Sequence, residues 1–117
     1  MKRASNKQGD IAWINLDPQA GHEQKGRRPV LIVSNTLYNK IENTLLVVPI
    51  TNTYRNTPMY VALDSRTKTQ GYIMANQQKS LVVRARNIQF IERIPKDILE
   101  EVLYALSQII SRDESNS

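Results

Sequence analysis

Residues 29–50 read PVLIVSNTLYNKIENTLLVVPI and contain two continuous apolar runs of strand length. The runs PVLIVS (29–34) and LLVVPI (45–50) are rich in β-branched residues, which favour strands. Runs in which apolar residues do not alternate with polar ones are typical of buried strands. We therefore predict two buried strands here. The segment LYNKIEN (37–43) between them is either a short helix or a wide loop.

Shorter segments of strand character lie on both sides of these two runs, and most of them alternate between apolar and polar residues. They are DIAWINL (10–16), PMYVALD (58–64), GYIM (71–74), SLVVRAR (80–86) and NIQFIER (87–93). No helix-length segment separates them. Six or seven strands in this arrangement predict a mainly β fold, either an antiparallel β-barrel or a strongly curled sheet.

The segment DILEEVLYALSQIIS (97–111) has apolar residues at helical spacing and predicts an amphipathic C-terminal helix. Asp97 is the expected N-cap, Glu100 completes a capping-box pattern, and Pro95 lies just outside the helix. The apolar stripe is expected to pack on the sheet, and its members are Ile98, Leu99, Val102, Leu103, Leu106, Ile109 and Ile110.

The length of 117 residues fits one domain with a single core. We predict a flexible segment at 1–8, one domain at 9–111 and a frayed tail at 112–117. The chain has no cysteine, which excludes disulfides and thiolate metal sites and is compatible with a reducing compartment. The first residues show no signal peptide, and no later segment resembles a membrane span. The expected location is the cytoplasm, without membrane association.

The charge is unevenly distributed along the chain. The net charge is +5, but residues 1–96 hold 15 basic and 6 acidic residues, a net +9, whereas residues 97–117 hold 1 basic and 5 acidic, a net −4. A basic body is typical of proteins that bind a polyanion or an acidic protein. It also occurs on proteins whose charge only keeps them soluble, so charge alone leaves these readings open.

The loop GHEQKGRRPV (21–30) concentrates the chemically versatile side chains. It holds the only histidine, a glutamate and two adjacent arginines, and Pro29 restricts the backbone of Arg28. The sequence has neither a clustered set of transition-metal ligands nor a glycine pattern for phosphate or dinucleotide binding, so we predict no cofactor and no metal.

The remaining chemistry suits a substrate that supplies its own nucleophile, such as RNA with its 2′-hydroxyl. Cleavage of that kind needs stabilisation of charge on the phosphorane, a proton acceptor and a proton donor. Arginine suits the first task because its fork of donors matches phosphate oxygens. The loop therefore indicates a ribonuclease without a metal, if the arginine is catalytic.

Three stretches of the chain resemble the MazF/PemK family of bacterial toxin endoribonucleases: GDIAWINLDPQAGHEQKGRRPVLIVS (9–34), VVPIT (47–51) and ANQQKS (75–80). The resemblance covers nearly the whole chain. It implies a compact SH3-like barrel of the PemK/CcdB type with a C-terminal helix. It also implies a homodimer, a cognate antitoxin, and sequence-specific, metal-independent cleavage of single-stranded RNA that leaves a 2′,3′-cyclic phosphate and a 5′-hydroxyl.

The resemblance assigns catalysis to Arg28, Thr51 and Glu23. Together with the cations and the aromatic residue of the loops, it gives these expected RNA contacts: His22, Gln24, Lys25, Arg27, Ser34, Tyr54, Arg55, Gln77, Lys79, Ser80 and Arg86. Two positions depart from the family. Asn76 replaces a common acidic residue, and His22 stands where many members have serine, so either His22 or Glu23 would be the general base.

Each assignment also has a purely structural reading. Arg28 would pair with Glu23 on the surface, Lys79, Arg84 and Arg86 would form a solvated face, and Trp13 would pack in the core or at a dimer interface. Two other functions stay open. A CcdB-like gyrase inhibitor would share the fold, but such relatives end in Trp-Gly-Ile whereas this chain ends SRDESNS. A non-catalytic RNA- or protein-binding barrel is the second. The loops 51–58 and 64–70 are expected to set any RNA sequence preference.

Overall fold

The computed structural model describes residues 6–15, 27–85 and 87–114. The expectations for His22, Glu23, Gln24 and Lys25, for Arg86, and for residues 1–5 and 115–117 at the two chain ends lie outside the described residues. Within the described ranges the chain forms seven strands, two α-helices and one turn of 3-10 helix at Val83–Ala85. The strands are β1 Asp10–Asn15, β2 Arg27–Ile32, β3 Thr44–Thr51, β4 Tyr60–Ala62, β5 Tyr72–Met74, β6 Lys79–Val82 and β7 Gln89–Arg93; the helices are α1 Thr36–Glu42 and α2 Lys96–Ile109.

All strand pairs are antiparallel, and the strand order is β4-β5-β3-β2-β1-β7, with β6 also paired to β3. Strand β3 is the centre of the sheet. Val47 lies opposite both Ile32 of β2 and Lys79 of β6, so those two strands lie on opposite edges of β3. The predicted mainly β, antiparallel and barrel-like fold is confirmed.

Both faces of the central strands are buried, which explains why 29–34 and 45–50 do not alternate. One face carries Leu31, Val48 and Ile50 and packs against buried residues of α2. The other face carries Val30, Ile32 and Val47 and forms a second apolar cluster with β1 and β6. Strands covered on both sides need apolar residues at every position.

Several predicted strands are shorter in the structure, β4 and β6 most of all. Strand β6 ends at Val82 and continues as the 3-10 turn, so the prediction of a strand through residue 86 is wrong. Strand β4 covers only Tyr60–Ala62 of the predicted 58–64. The Leu63 N–H still donates to the Gly71 carbonyl at 2.9 Å, and a turn follows in which the Thr67 N–H donates to the Asp64 carbonyl at 3.2 Å. The chain therefore leaves the sheet after Leu63.

The segment between the two buried strands is a helix, which resolves the alternatives left by the sequence. The Asn35 side chain caps α1 by accepting the Tyr38 N–H at 2.9 Å. The helix ends at Asn43, whose φ of 53° is left-handed. Asparagine tolerates that conformation better than most residues do, so it suits a helix C-terminus.

The C-terminal helix differs from its predicted form at both ends. It begins at Lys96 with Pro95 as N-cap and no side-chain cap, so the capping box led by Asp97 is wrong. The Asp97 carboxylate instead accepts hydrogen bonds from Arg66 at 2.9 and 3.0 Å. At the other end Ile109 is 41% and Ile110 81% exposed, so these two residues do not join the core. In the described part of the chain, neither helix has the length and apolar character that a membrane crossing requires.

Candidate active site

Arg28 and Thr51 both lie just beyond the point where the two buried strands stop pairing with each other. Val30 lies opposite Pro49 and Leu31 opposite Val48, and Val30–Pro49 is the last pair of this ladder. Arg28 precedes Val30 by two residues, and Thr51 follows Pro49 by two. Two predicted catalytic residues, separated by more than twenty positions in the sequence, therefore lie at the same end of the sheet; we call them the Arg28–Thr51 pair.

Thr51 is held in place by its neighbours. It pairs with Tyr72 of β5, and its hydroxyl oxygen accepts the Thr53 N–H at 3.1 Å. Gly71 has φ of 119°, and a Cβ there would overlap the Thr51 carbonyl oxygen. The close backbone approach at Gly71 thus requires glycine. Arg28 is exposed, so this end of the sheet carries a firmly positioned hydroxyl and a solvent-accessible guanidinium.

Two tyrosines border this end of the sheet. Tyr72 lies opposite Thr51 and shares its face. Tyr54 is 63% exposed and packs edge-to-face on Tyr72, with ring centroids 5.5 Å apart. Arg55, the next residue, is exposed. The sequence singled out Tyr54 and Arg55 but missed Tyr72, whose only signal is its place in the short strand GYIM.

The ANQQKS segment lies farther along β3. Residues 75–78 leave the sheet between β5 and β6, and the Gln77 N–H donates to the Met74 carbonyl at 3.0 Å. Lys79 is exposed and lies opposite Val47, four residues before Thr51 and on the same face. Four residues of strand span about 13 Å. A cation on this face therefore lies beyond the Arg28–Thr51 pair.

Ser34 and Ser80 lie at the opposite end of the sheet. Ser34 follows Arg28 by six residues, a strand distance of roughly 20 Å. It is 9% exposed; its hydroxyl donates to Asn39 Oδ1 and accepts the Leu46 N–H at 2.9 Å. Ser80 is exposed and lies opposite Leu46. The structure does not bring either serine next to Arg28, and their RNA contacts stay predictions.

Arg27 points to the other face of β2 from Arg28. Its guanidinium lies 5.1 Å from the centre of the Trp13 ring and donates to Gln89 Oε1. Trp13 is 38% exposed, so of its two predicted locations the core of the chain is wrong, and the dimer interface stays a prediction. Its ring borders a pocket of about 420 Å³ whose other walls are Pro29, Asn52, Ile91 and the loop residues Lys68, Thr69 and Gln70. We call this the Trp13 pocket.

Polar contacts hold the 64–70 loop to the rest of the molecule. Glu92 of β7 accepts N–H bonds from Lys68 and Thr69 at 3.1 and 2.8 Å, and the Thr69 hydroxyl at 2.8 Å. Burial raises the pKa of Glu92, but the hydrogen bonds from Thr69 and Lys68 outweigh it, so the net pKa lies below the ordinary 4.5. Glu92 had no signal in the sequence beyond its place in an alternating strand.

Arg66 provides a second tether for this loop. Its guanidinium forms ion pairs with Asp64 in the loop and Asp97 in α2, each at 2.9 Å. The side-chain hydrogen bonds from Arg66 hold the pKa of both carboxyls below their ordinary value. Since all three groups are exposed, water screens these interactions. The loop is therefore positioned mainly by the Glu92 contacts and only supplemented by Arg66.

In the described ranges, no three His, Cys, Asp or Glu side chains are grouped so that they would hold a metal ion. The groups present at the Arg28–Thr51 end are a guanidinium, a hydroxyl, tyrosine rings and further cations. These groups can bind a phosphodiester and donate hydrogen bonds to its oxygens. Proton transfer would need an additional group. Among the described residues, none of the contacts above joins a carboxylate or a histidine to Arg28 or Thr51.

Comparison with known proteins agrees with this architecture. Residues 7–110 match the family described as PemK-like, MazF-like toxin of type II toxin-antitoxin system. The chain is 37% identical over 114 residues to endoribonuclease PemK of Escherichia coli, covering 94% of this chain and 86% of that protein. It is 37% identical over 78 residues to endoribonuclease toxin MazF of Escherichia coli (strain K12), covering 67% and 69%.

Solved structures show the same fold. MazF from Deinococcus radiodurans superposes with a TM-score of 0.81 at 32% identity, covering 94% of this chain and 100% of that one. A MazE-MazF structure from the same organism gives a TM-score of 0.81 at 30% identity, covering 92% and 98%. The resemblance inferred from the loop and strand motifs is confirmed: the chain belongs to the PemK-like, MazF-like toxin family of type II toxin–antitoxin systems, whose relatives named here are endoribonucleases.

Proposed function

We propose that the protein is a toxin that cleaves single-stranded RNA at short sequences, without a metal, and leaves a 2′,3′-cyclic phosphate and a 5′-hydroxyl. The observation that carries the proposal is that Arg28 and Thr51 lie at the same end of the sheet, each two residues beyond the last paired residues of β2 and β3, with Arg28 exposed. Endoribonuclease relatives over most of the chain support the reaction class. The cleavage chemistry itself follows from the side chains available.

In the proposed reaction the 2′-hydroxyl oxygen forms a bond to the adjacent phosphorus, and the bond from phosphorus to the 5′-oxygen breaks. Glu23 or His22 accepts the 2′-hydroxyl proton, and the conjugate acid or water returns a proton to the 5′-oxygen. Arg28 donates two hydrogen bonds to non-bridging oxygens as their charge builds. The Thr51 hydroxyl donates a further one.

The RNA is proposed to run along the face that carries Arg28, Thr51 and Lys79. Tyr54 offers a ring on which a base would stack, and Arg55 is next to it. Cations spread along a groove suit a phosphate backbone. Of the other predicted contacts, Gln77 is exposed and lies between β5 and β6, and His22, Gln24, Lys25 and Arg86 belong to the same proposal.

The partners are proposed to be a second copy of the chain and an acidic antitoxin, in the cytoplasm. A net +9 over residues 1–96 favours an acidic partner through charge complementarity. Exposed apolar side chains on both helices, Leu37, Ile41, Tyr104 and Ile110, offer surface for association. The antitoxin and RNA would compete, so binding of both at once without mutual weakening would contradict this part of the proposal.

The test of the proposed function is the Arg28→Ala variant, assayed by mapping the 5′ ends left on a long RNA in EDTA. Loss of a group that stabilises the transition state is expected to cost on the order of 3–4 kcal/mol, or roughly a hundred- to thousandfold in rate. RNA affinity should fall much less, because several cations share it. Arg28→Lys should not restore the rate, since a point charge lacks the bidentate fork.

Arg84→Ala is the matched control, because Arg84 is an exposed arginine on the 3-10 turn with no proposed role in the reaction. Its cleavage rate should equal that of the wild type. If Arg28→Ala stays folded and cuts RNA at the wild-type rate, Arg28 is not catalytic and its loop would be a docking segment. Cleavage that stops in EDTA and returns with magnesium, on unstructured RNA, would contradict the metal-free mechanism.

A further inference from the structure

The Trp13 pocket combines three kinds of side chain that rarely meet by chance. Trp13, Pro29 and Ile91 provide apolar walls, and Asn52 and Gln70 provide amides. Lys68 adds a cation. Its volume of about 420 Å³ falls within the usual range for small-ligand sites, roughly 300–1,000 Å³. Such a mixture suits a flat, partly polar ligand with a negative charge attached.

The pocket is separate from the Arg28–Thr51 pair but close to it in the fold. Pro29 follows Arg28 and points to the other face of β2, and Asn52 follows Thr51 in the same way. Both sites therefore lie at the same end of the sheet, one on each face. A single-stranded nucleic acid that crosses this end of the sheet would contact the pocket directly after Arg28 and Thr51.

The aromatic wall is already arranged for stacking. Trp13 is the only tryptophan of the chain, and its ring is 38% exposed. Arg27 lies against the ring at 5.1 Å and is itself held by Gln89. A base would enter the accessible part of the ring surface. Stacking of a base on an aromatic side chain contributes about 1–3 kcal/mol and accepts any base.

The two amides can distinguish one base from another. Each amide offers a donor and an acceptor, and the side chains of asparagine and glutamine recognise base edges that present the complementary pair, adenine above all. Lys68, in the same wall of the pocket as Gln70, can bind a phosphate through its compact positive charge. None of the described residues that line the pocket is a carboxylate.

The loop wall is fixed before any ligand arrives. Glu92 uses its carboxylate oxygens on the Lys68 and Thr69 N–H groups and on the Thr69 hydroxyl. These bonds position Lys68 and the adjacent Gln70 and leave the Glu92 charge directed at the backbone. A pocket whose wall is already ordered binds its ligand at a lower entropic cost.

We propose that the Trp13 pocket binds one base of the RNA beside the scissile bond, with Asn52 and Gln70 selecting the base, Lys68 contacting its phosphate and Glu92 as the positioning residue of the loop wall. The inference rests on the proposed function for the identity of the ligand as single-stranded RNA. It assigns base selection to the face opposite Arg28 and to particular side chains of the loops 51–58 and 64–70, which the sequence indicated only as segments that set RNA sequence preference.

The experiment uses the single tryptophan as a reporter. Oligodeoxynucleotides of one base type, which lack the 2′-hydroxyl and are not cut by the proposed reaction, are titrated into the full-length protein while Trp13 fluorescence is recorded. Saturable quenching is expected, with affinity for the adenine oligomer roughly tenfold above that for the weakest base, a typical value for one well-formed base contact. Asn52→Ala and Gln70→Ala should bring the affinities within about twofold of each other.

Three further variants separate the roles. Lys68→Ala should weaken all oligomers alike and reduce the salt slope by about 0.7. Glu92→Gln should reduce base discrimination, which a purely structural role would leave unchanged. Gln108→Ala, which removes an exposed amide from α2, is the matched control and should bind as the wild type does.

The inference is overturned if Asn52→Ala and Gln70→Ala keep the wild-type order of base affinities, or if an acidic peptide quenches Trp13 and no oligonucleotide does. Mapping the 5′ ends left on a long RNA then distinguishes failure of the base pocket from failure of the proposed nuclease. If both variants cut RNA at unchanged sites, the base pocket fails and the proposed nuclease stands. If the wild type cuts no RNA but shows base-selective quenching that Gln70→Ala abolishes, the nuclease fails and the pocket stands.

Discussion

The two ends of the buried strands use polar side chains in opposite ways. At one end, Arg28 is exposed and Thr51 is half-buried. At the other end, Ser34 and Asn39 are buried and hydrogen-bond to each other, and Ser34 also binds the Leu46 N–H. Polar groups satisfied inside the fold contribute to stability, whereas polar groups presented to solvent remain available for a ligand. We call the Ser34 end the structural end and the Arg28 end, where the reaction is proposed, the functional end.

Gly71→Ala is expected to have the largest effect, because the new side chain would displace the Thr51 backbone at the functional end. The new Cβ would overlap the Thr51 carbonyl oxygen, and φ of 119° is unfavourable for alanine. Since a misplacement of about 1 Å can reduce a rate roughly a hundredfold, we expect at least that loss in RNA cleavage. The measurement is the single-turnover rate well below the melting temperature.

Gly9→Ala is the control for that variant. Gly9 also has a positive φ, of 93°. A Cβ added there would lie nearest to the side chains of Arg93 and Leu99, at 3.2 and 3.3 Å. It should lower stability and leave the cleavage rate of the folded protein unchanged. Equal rates for the two alanine variants would show that the approach of Gly71 to Thr51 has no catalytic consequence.

Ser34→Ala is expected to affect the structural end alone. Removing the hydroxyl leaves the Leu46 N–H and the Asn39 Oδ1 without their buried partner, which should cost about 1–3 kcal/mol of unfolding free energy in urea. Ser80→Ala, at an exposed position nearby, should change stability by less than about 0.5 kcal/mol. Loss of cleavage in a folded Ser34→Ala protein would instead make that end part of the RNA site.

Acidification is expected to weaken the stabilisation at the functional end and not at the structural end, by a smaller effect than the substitutions above. The functional end is bordered by a loop that a carboxylate holds, and the pKa of Glu92 lies below 4.5 in the folded protein. A lowered folded pKa means that the stabilisation is present above 4.5 and is lost as the pH falls through the lower folded value. The Ser34 and Asn39 contacts contain no titrating group.

The urea midpoint of the wild type and of Glu92→Gln, followed from pH 7 to pH 3, checks this. The difference between the two proteins should stay constant down to about pH 5 and shrink below 4.5. The difference between wild type and Ser34→Ala should change much less over the same range. A Glu92 difference that grows on acidification would mean that the sign of the pKa shift is wrong.

The predictable part of the fold follows from patterns that are local in the sequence. The continuous runs 29–34 and 45–50 revealed strands buried on both faces, and the spacing of Ile98 and Val102 revealed the C-terminal helix. The start of that helix was mispredicted because Arg66, thirty-one residues away, competes for Asp97. Capping patterns read from sequence do not include such distant partners.

The candidate site was predictable only to the extent that family motifs contain it. Arg28 and Thr51 came from the resemblance, and their common place at one end of the sheet is a property of strand pairing. The Trp13 pocket assembles Pro29, Asn52 and Ile91 from distant parts of the chain, and no local pattern reports such an assembly. Glu92 was missed for the same reason, since its partners are backbone N–H groups that carry no sequence signal.

The pairing of β1 with β7 has a consequence for how the protein is made. Asp10 is fully buried and forms an ion pair with Arg93, eighty-three residues later, while Gly9 accepts the Ile94 N–H. During synthesis the first strand can pair early with β2 but waits for its second partner, β7, until most of the chain has left the ribosome, and contacts of such long range slow folding. A nascent or truncated chain exposes the edge of β1 and the apolar surface that α2 covers. Cellular proteases and chaperones would act on the incomplete chain during that interval, so the supply of folded protein depends on the completion of translation.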